Sequence, residues 1–589
     1  MRITESNFIN VESLKEGQAI SALYEYLNTT SENVLHWGYF IKLTSIFWVS
    51  LFILILGLTL PQKPKYIKVL NLTAAYYIAI IVCTTSYDYF LREDVISDLG
   101  YSNIWESVNF TWYPNPSYFS FFFFLLASIA VICLLLGISD KLFSIENNKI
   151  EFLLLVLFIW ISSILLLTIK DFVNALILLE CTAFSSYILV GFERKNKFSS
   201  SSGIKYLILG SVPGGLFVLG ITLLYKNFGT FYWTELQSLS YFSSIISEGS
   251  MTSINLDWNT IKDMGISQNL LDSGSNNVLY DKIADNSNTF ISNKNSGESL
   301  FDSFYYNSVF ASVYVAVGLI FVNLLFKLTG APFHMWAPSV YGGSPLGTVS
   351  FLSVFSKLTI IFFSIYVYIY YFYLFEDIIH ILLISCGVLS ILCAIMGAFS
   401  EKLIKRFFVY SSMGHVGYML LGIASPDILG TRAVLDYLII YVFSSYIMWF
   451  TLMYLTRKTT HLTNLKALYI NHPMLSLIFS MTLFSLSGLP PLAGFFVKFE
   501  IFYNLINNGY YFLVLGLFIL TVFSFFYYLR IMKIIYFENN TIFKKNKNED
   551  VLKLRVISIL FHLIIFALIF ITEPFLYTFD NILLQIISN

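Results

Sequence analysis

The sequence predicts an all-α polytopic membrane protein with about 14 transmembrane helices. Composition is the first reason. Of 589 residues, 57% are hydrophobic and 12% charged, with 58 Phe and 40 Tyr. Soluble domains carry roughly 25% charged residues. The second reason is spacing: apolar runs of about 20 residues, the length that crosses a bilayer as a helix, recur along the chain. The third is that the loops between these runs alternate in charge. A net charge of -1 gives no generally basic surface for nucleic acid.

Residues 1–37 read as a polar arm, with Glu5, Glu12, Glu16, Glu25 and Glu32. The arm has neither the basic start and apolar core of a secretory signal nor the Arg-rich, acid-poor make-up of a transit peptide. Apolar segments follow near 39–60, 68–87, 117–138, 151–169, 172–192, 204–225, 308–340, 347–373, 377–399, 404–424, 433–456, 473–505, 510–536 and 554–572. The segments 308–340 and 473–505 are too long for one simple span and carry Gly and Pro midway, so both are read as interrupted helices. Between the sixth and seventh segments, residues 226–306 are polar, with runs such as SGSNN and SNKNSG. They are expected to form an outer-side loop, partly disordered, with subunit contact as its candidate role.

Odd-numbered loops are basic: Lys63, Lys65 and Lys68 in the first, Arg194, Lys195 and Lys197 in the fifth, Lys402, Lys405 and Arg406 in the ninth. Loops 11 and 13 continue the pattern with Arg457, Lys458 and Lys466, then Lys544, Lys545, Lys547, Lys553 and Arg555. The second loop is acidic, with Asp88, Glu93, Asp94, Asp98 and Glu106 against Arg92. The positive-inside rule places the odd loops in the cytoplasm or its mitochondrial equivalent, the matrix, and both termini on the other side. The skew toward Phe, Tyr, Ile, Asn and Lys fits an A+T-rich organelle genome. That selects the mitochondrial inner membrane over a bacterial plasma membrane.

Ionisable residues inside the spans carry the functional reading. A charge at the bilayer centre costs about 2.5–3.5 kcal/mol on insertion scales, so such residues mark ion paths. Glu180 is the single acid of FVNALILLECTAFSSYILV. Lys205 opens the sixth span, whose Pro213-Gly214-Gly215 would loosen it in mid-membrane. Lys327 and Lys357 bracket the Gly- and Pro-rich stretch LTGAPFHMWAPSVYGGSPLG. His334 follows Lys327 by two turns and would share its face on a continuous helix. Lys498 follows the break in SLSGLPPLAGFFVKFEIF, with Glu500 two residues on. Burial disfavours the ammonium form of a lysine and a nearby carboxylate restores it, so a Glu–Lys pair of variable separation is a proton switch. Plainer readings stand beside these. Lys205 is also read as a snorkelling helix-end lysine and His334 as a satisfied interface histidine. His415 in YSSMGHVGYMLLG is read as a packing or hydrogen-bonding residue, and Glu500 as an interfacial one. Lys170, Asp171, Lys402, Lys405 and Arg406 read as anchors at span ends. The five cysteines form no C-x-x-C pair and read as small buried residues, which leaves no case for iron–sulfur ligation.

With FKLTGAPFHMWAPSVYGGSP, FLSVFSKL, KRFFVYSSMGHVGYMLLG, SLSGLPPLAGFFVKF and SFFYYLRIMK in order over residues 117–536, the chain resembles the antiporter-like membrane subunits of respiratory NADH:quinone oxidoreductase, complex I. Lys357 in SVFSK, where subunits 4 and 5 and the Mrp antiporters usually have histidine, points to the subunit 2 branch. So does Lys498, where subunit 4 usually has glutamate. The resemblance implies two inverted five-helix repeats with interrupted helices seven and twelve. Its expected organisation is an arm at 1–37, helices 1–3 at 38–138, a first repeat at 139–225 and 307–373, and the loop 226–306 between its parts. A second repeat covers 374–536, and helix 14 with a tail covers 537–589.

The resemblance carries over, position by position, to Glu180, Lys205, Lys327, His334, Lys357 and Lys498 as proton-translocating residues. It implies proton pumping driven by NADH oxidation and quinone reduction elsewhere in the complex. No flavin, cluster or NADH would be bound by this chain. The expected partners are other membrane-arm subunits, neighbouring antiporter-like ones included, and lipid. Ser339 stands where the family usually has aspartate, and both the loop 226–306 and the arm exceed the family pattern. Two rivals remain open: a stand-alone Mrp-type cation/proton antiporter, and a non-conducting scaffold or haem-bearing subunit. For the haem version, His334, His380, His415 and His562 show no paired spacing.

Overall fold

The computed structural model describes residues 149–233 and 299–538, with short gaps, and a few helical residues at 73–75, 78, 123 and 126–131. The arm, most of the loop 226–306, the first and last spans and both termini lie outside the described residues. The described residues are helical, with two isolated β-bridges, Asp171 to Tyr232 and Leu403 to His461. Seven of their helices are long and apolar enough to cross a membrane.

In chain order these are α1 (Lys149–Leu166), α2 (Phe172–Val190), α3 (Lys197–Phe228), α4 (Ser299–Lys327), α5 (Trp336–Gly343), α6 (Leu346–Phe351) and, after one π-helical turn at Leu352–Ser356, α7 (Lys357–Tyr371). Then come α8 (Glu376–Ser400), α9 (Ile404–Ala424), α10 (Ile428–Leu455), the four-residue α11 (Leu468–Asn471), α12 (Pro473–Ser487), α13 (Ala493–Asn507) and α14 (Tyr511–Tyr536). Local chemistry sets the boundaries. Asp171 caps α2, its carboxylate accepting from Asn174 N at 3.4 Å and Nδ2 at 2.8 Å. Asn196 caps α3 by accepting from Phe198 N at 3.1 Å, and Gly229 closes it in the left-handed region at φ 76. α4 begins at Ser299, earlier than the apolar run at 308, because Leu300, Phe301, Phe304 and Tyr305 extend a helical pattern into the polar segment.

Both expected interruptions are present. α4 stops at Lys327, residues 328–335 form turns, and α5 restarts at Trp336. α12 stops at Ser487, and α13 restarts at Ala493. Freed backbone groups of the first break find partners on neighbours. Ala331 N donates to Ser390 Oγ of α8 at 2.8 Å, and the Trp336 indole donates to Phe326 O at 3.3 Å. That is how a membrane helix tolerates a break. Trp336 also stacks between Phe326 and Tyr206, at ring separations of 5.3 and 4.7 Å.

The core is formed by α6–α7 and α9: 94% of the apolar window of each is buried, against 28% for α14. The outer helices α3, α8 and α14 keep an apolar face outward, as lipid requires. α8 packs closely on α9, and a Cβ on Gly417 would lie 2.7 Å from Gly387 O. α5 packs on both α3 and α9, so the piece beyond the first break links the two halves. Lys405 and Arg406, expected only to anchor, hold its end. Lys405 Nζ donates to Ser344 O at 2.6 Å, and Arg406 lies against Gly342 and 3.8 Å from Glu401. Cations at a helix C-terminus meet its exposed carbonyls.

Candidate functional site

α2 and α4 bring Glu180 and Lys327 together, with Lys327 Nζ 3.6 Å from Glu180 Oε1. The same ammonium donates to Leu179 O at 3.1 Å. The side chains keep 13% and 24% exposure, so the pair sits near the edge of the bundle rather than at its centre. At an effective dielectric of about 20 the attraction is about 4–5 kcal/mol. Burial costs each ion several kcal/mol. The attraction falls as the two groups separate, so separation sets how firmly the pair holds its charges. The carboxylate has room because α3 passes with a glycine there: a Cβ on Gly214 would lie 2.7 Å from Glu180 Oε1. The Pro-Gly-Gly run does not break α3, which is continuous from Lys197 to Phe228. Its smallest residue is instead a seat for the acid.

A cavity of about 40 Å³ adjoins this pair, lined by Lys327, Thr182, Ser186, Tyr206, Ser356 and Thr359 among others. Water needs about 10–15 Å³ of such space per molecule, so the cavity has room for a few. The hydroxyls on its wall are the partners that water needs. Lys357, the residue after Ser356, is not part of that wall; it is 1% exposed and its Nζ has no hydrogen-bond partner. The ammonium lies 5.9 Å from the centre of the Tyr441 ring. The π-helical turn just before it frees carbonyls, and these are taken up locally: the Tyr441 hydroxyl donates to Ser353 O at 3.0 Å, and Ser356 Oγ donates to Leu352 O. Single π-helical turns inside α-helices concentrate at functional positions.

Lys498 is held at the second break. Its Nζ donates to Ser487 O at 2.8 Å and Leu486 O at 3.2 Å, the last carbonyls of α12. It lies 5.1 Å from the centre of the Tyr418 ring. The helix dipole and the ring face both favour a cation there. A cavity of about 10 Å³, about one water, touches Lys498, His415, Tyr418 and Tyr527.

Two of the sequence-predicted residues lie apart from this row. Lys205 does not join the row: it lies exposed on the outward face of α3 beside Ile204, Leu207 and Ile208. Lys205 and Gly214 are separated by about two and a half turns, so the lysine points away from the seat of Glu180. His334 is buried but shares no helix face with Lys327, because α4 ends at that lysine and Thr329, at φ 63, turns the chain.

His415, read from the sequence as a packing or hydrogen-bonding residue, is one. It is buried on α9, with Nδ1 2.8 Å from the Tyr437 hydroxyl and Nε2 3.2 Å from that of Tyr528. Tyr528 in turn meets Ser411 Oγ at 2.5 Å. His415 shares the small cavity with Lys498, and its ring lies 5.4 Å from that of Tyr441, which Lys357 faces. A buried imidazole bonded through both nitrogens is a proton-handling group with a fixed orientation. The available signal was its place among small residues, SSMGHVG, in the most buried helix.

Residues 169–258 and 291–524, more than half of the chain, match the family described as NADH:quinone oxidoreductase/Mrp antiporter, TM. The chain is 29% identical over 467 residues to NADH-ubiquinone oxidoreductase chain 2 of Marchantia polymorpha, covering 79% of this chain and 82% of the relative. It is 30% identical over 402 residues to NADH-quinone oxidoreductase subunit N of Rhodospirillum rubrum, covering 67% and 69%. The fold resembles a chain of respiratory complex I from Thermus thermophilus, with a TM-score of 0.61, 20% identity, and coverage of 90% of this chain and 96% of that one. It also resembles a chain of the Mrp complex from Dietzia, at 0.61 and 15%, covering 86% and 82%. The interrupted helices, the buried lysines and these matches agree: the chain belongs to the NADH:quinone oxidoreductase/Mrp antiporter family of membrane proteins.

Proposed function

We propose that this chain is a proton-translocating membrane-arm subunit of a respiratory NADH:quinone oxidoreductase. Redox chemistry would be carried by other subunits and coupled to protons through Glu180, Lys327, Lys357, His415 and Lys498. The observation that carries this reading is the Glu180–Lys327 pair at 3.6 Å, opening on a cavity walled by the hydroxyls of Thr182, Ser186, Tyr206, Ser356 and Thr359. Approach of Glu180 holds the Lys327 proton. Withdrawal releases it to water in the cavity, from which Lys357 receives it. Its relatives named as chain 2 and subunit N support the oxidoreductase over a stand-alone Mrp-type antiporter.

The finer parts belong to the same proposal. The two interrupted helices, each with a lysine at its break, are corresponding elements of two inverted repeats. The membrane is the mitochondrial inner membrane, with both termini in the intermembrane space, on the strength of loop charge and residue usage. The chain itself binds no redox group, as its cysteine spacing suggests. Neighbours in the membrane arm cover the outward face of α3, where Lys205 would otherwise face lipid.

The test compares Glu180→Gln, Lys327→Ala and Lys205→Ala in the assembled complex. Glu180→Gln and Lys327→Ala lower proton pumping per electron and coupled quinone reduction, while Lys205→Ala leaves the ratio intact. A normal ratio and turnover in both Glu180→Gln and Lys327→Ala would remove the switch assignment.

A further inference from the structure

α5 is eight residues long, about 12 Å at 1.5 Å per residue, and both of its ends are wedged. At the far end a Cβ on Gly343 would lie 2.7 Å from Phe198 O of α3, and one on Gly342 would lie 2.9 Å from Arg406 Nε of α9. Just past that end, Lys405 of α9 donates to Ser344 O at 2.6 Å. Elements packed this closely transmit a displacement rather than absorb it. A shift of the first turn of α9 is thus carried along α5 to its near end.

The near end is Trp336, 3% exposed. Its indole N–H donates to Phe326 O at 3.3 Å, and Thr329 N donates to the same oxygen at 3.0 Å. That carbonyl and the Lys327 N–H belong to one planar peptide unit, so Trp336 grips the peptide that carries the lysine. Its ring lies nearly parallel to Phe326, at 13° and 5.3 Å, and to Tyr206 of α3, at 9° and 4.7 Å. Tyr206 in turn meets Tyr187 of α2 edge-on at 4.6 Å, and the Tyr187 hydroxyl takes the space that Gly210 leaves free. α2 also carries Glu180, about two turns before Tyr187. The contacts close a ring: Lys327, Trp336, Tyr206, Tyr187 and Glu180, with the cavity beside the pair lined by all of these but Glu180. Rings in contact resist compression. The ion pair, at 3.6 Å against about 2.7–2.9 Å for a charge-assisted hydrogen bond, is the side with room to close or open.

We propose that Trp336 is a positioning residue for Lys327, through which α5 sets the separation of the Glu180–Lys327 pair. The inference rests on the reading of that pair as the proton switch. Displacement of α5 moves the Phe326–Lys327 peptide relative to α2, while the contact of Tyr206 with Tyr187 keeps α2 and α3 together. The start of α9 thereby acts on the pair from the other half of the bundle. Trp336 itself exchanges no proton.

The experiment compares Trp336→Phe and Trp336→Leu with the native assembled complex, each alone and combined with Glu180→Gln. The readouts are the proton-to-electron ratio, coupled quinone turnover and, by electron cryomicroscopy, the separation of Lys327 Nζ from Glu180. Trp336→Phe keeps a stacking ring and loses the bond to Phe326 O, while Trp336→Leu loses both. Each single variant changes the separation and lowers the ratio, Trp336→Leu the more. Turnover falls about twofold to tenfold, the span of coupling between residues in contact. Neither substitution adds to the loss in Glu180→Gln. A lowered ratio at the native separation, or a further loss on top of Glu180→Gln, makes Trp336 a packing residue and overturns the proposal. A native ratio in both single variants overturns it too. If Trp336→Leu fails to assemble, Trp336→Phe decides on the same terms. A native ratio in Glu180→Gln removes the switch and this proposal with it. A lowered ratio there, beside a native ratio in Trp336→Phe, removes the positioning role alone.

Discussion

Glu180 rests against the backbone of Gly214, so closely that a Cβ on the glycine would stand 2.7 Å from its Oε1. The carboxylate is therefore held between α3 and Lys327, and the distance to the ammonium depends on a missing side chain. Gly214→Ala should push Glu180 off its seat without disturbing the rest of α3, since alanine is a better helix former. The expected result is normal assembly with coupled quinone turnover reduced by up to about tenfold, equivalent to about 1.4 kcal/mol in the barrier. Combining Gly214→Ala with Glu180→Gln should add little to Glu180→Gln alone, because both act on one group. Additive losses in steady-state turnover would place the effect of Gly214 elsewhere.

Ser390 stabilises the first break from outside it. Its hydroxyl accepts from Ala331 N at 2.8 Å and donates to Cys386 O at 2.6 Å. Ser390→Ala leaves a buried N–H without a partner, at a cost of about 1–3 kcal/mol. The expected outcome is faster thermal inactivation of the assembled complex, with Ser390→Thr retaining most of the stability. Equal inactivation rates for Ser390→Ala and the native protein would show that the break finds another acceptor.

The helices and both interruptions were legible because apolar run length and Gly/Pro placement act locally. The interrupted span around Lys327 and the one before Lys498 each fold as a helix, a break and a second helix. Facing was not legible. α3 is apolar nearly all round, so periodicity gives no inward side, and only packing shows that Lys205 points out while Gly214 points in. The partners of His415 were not legible for a related reason: Tyr437 and Tyr528 are 22 and 113 residues away. The Lys327–Glu180 pair was accessible only through resemblance, since no spacing rule joins residues on separate helices.

The glycine that ends α12 allows a controlled test of Lys498. Gly488 has φ 85, and a Cβ there would lie 2.9 Å from Lys498 Cδ. Gly509 has nearly the same backbone, φ 83, with open space around it. Alanine at either position carries the left-handed penalty, roughly 1–3 kcal/mol. Gly488→Ala must in addition move Lys498 off the carbonyls of Leu486 and Ser487. Both variants should show similar small losses in thermal stability, and Gly488→Ala alone should lower proton pumping per electron. If Gly509→Ala lowers the ratio equally, backbone strain and not the lysine contact is responsible.

His415 lines a cavity with Lys498 and packs on Tyr441, which Lys357 faces, and its two nitrogens are committed to different tyrosines. The geometry separates transfer from orientation. His415→Leu removes the group that can take and return a proton, and leaves the Tyr437 and Tyr528 hydroxyls short of a buried partner. It should sharply reduce pumping per electron and cost about 1–3 kcal/mol of stability for the Tyr437 hydroxyl, since Tyr528 keeps Ser411. Tyr437→Phe removes only the partner of Nδ1, so the ring keeps Tyr528 and should retain most of the ratio. Tyr528→Phe additionally frees Ser411, and should cost more than Tyr437→Phe. Proton-to-electron ratios in the order native, Tyr437→Phe, Tyr528→Phe, His415→Leu are expected. A His415→Leu complex with the native ratio would return the histidine to a packing role and leave protons to cross from Lys357 to Lys498 through water alone.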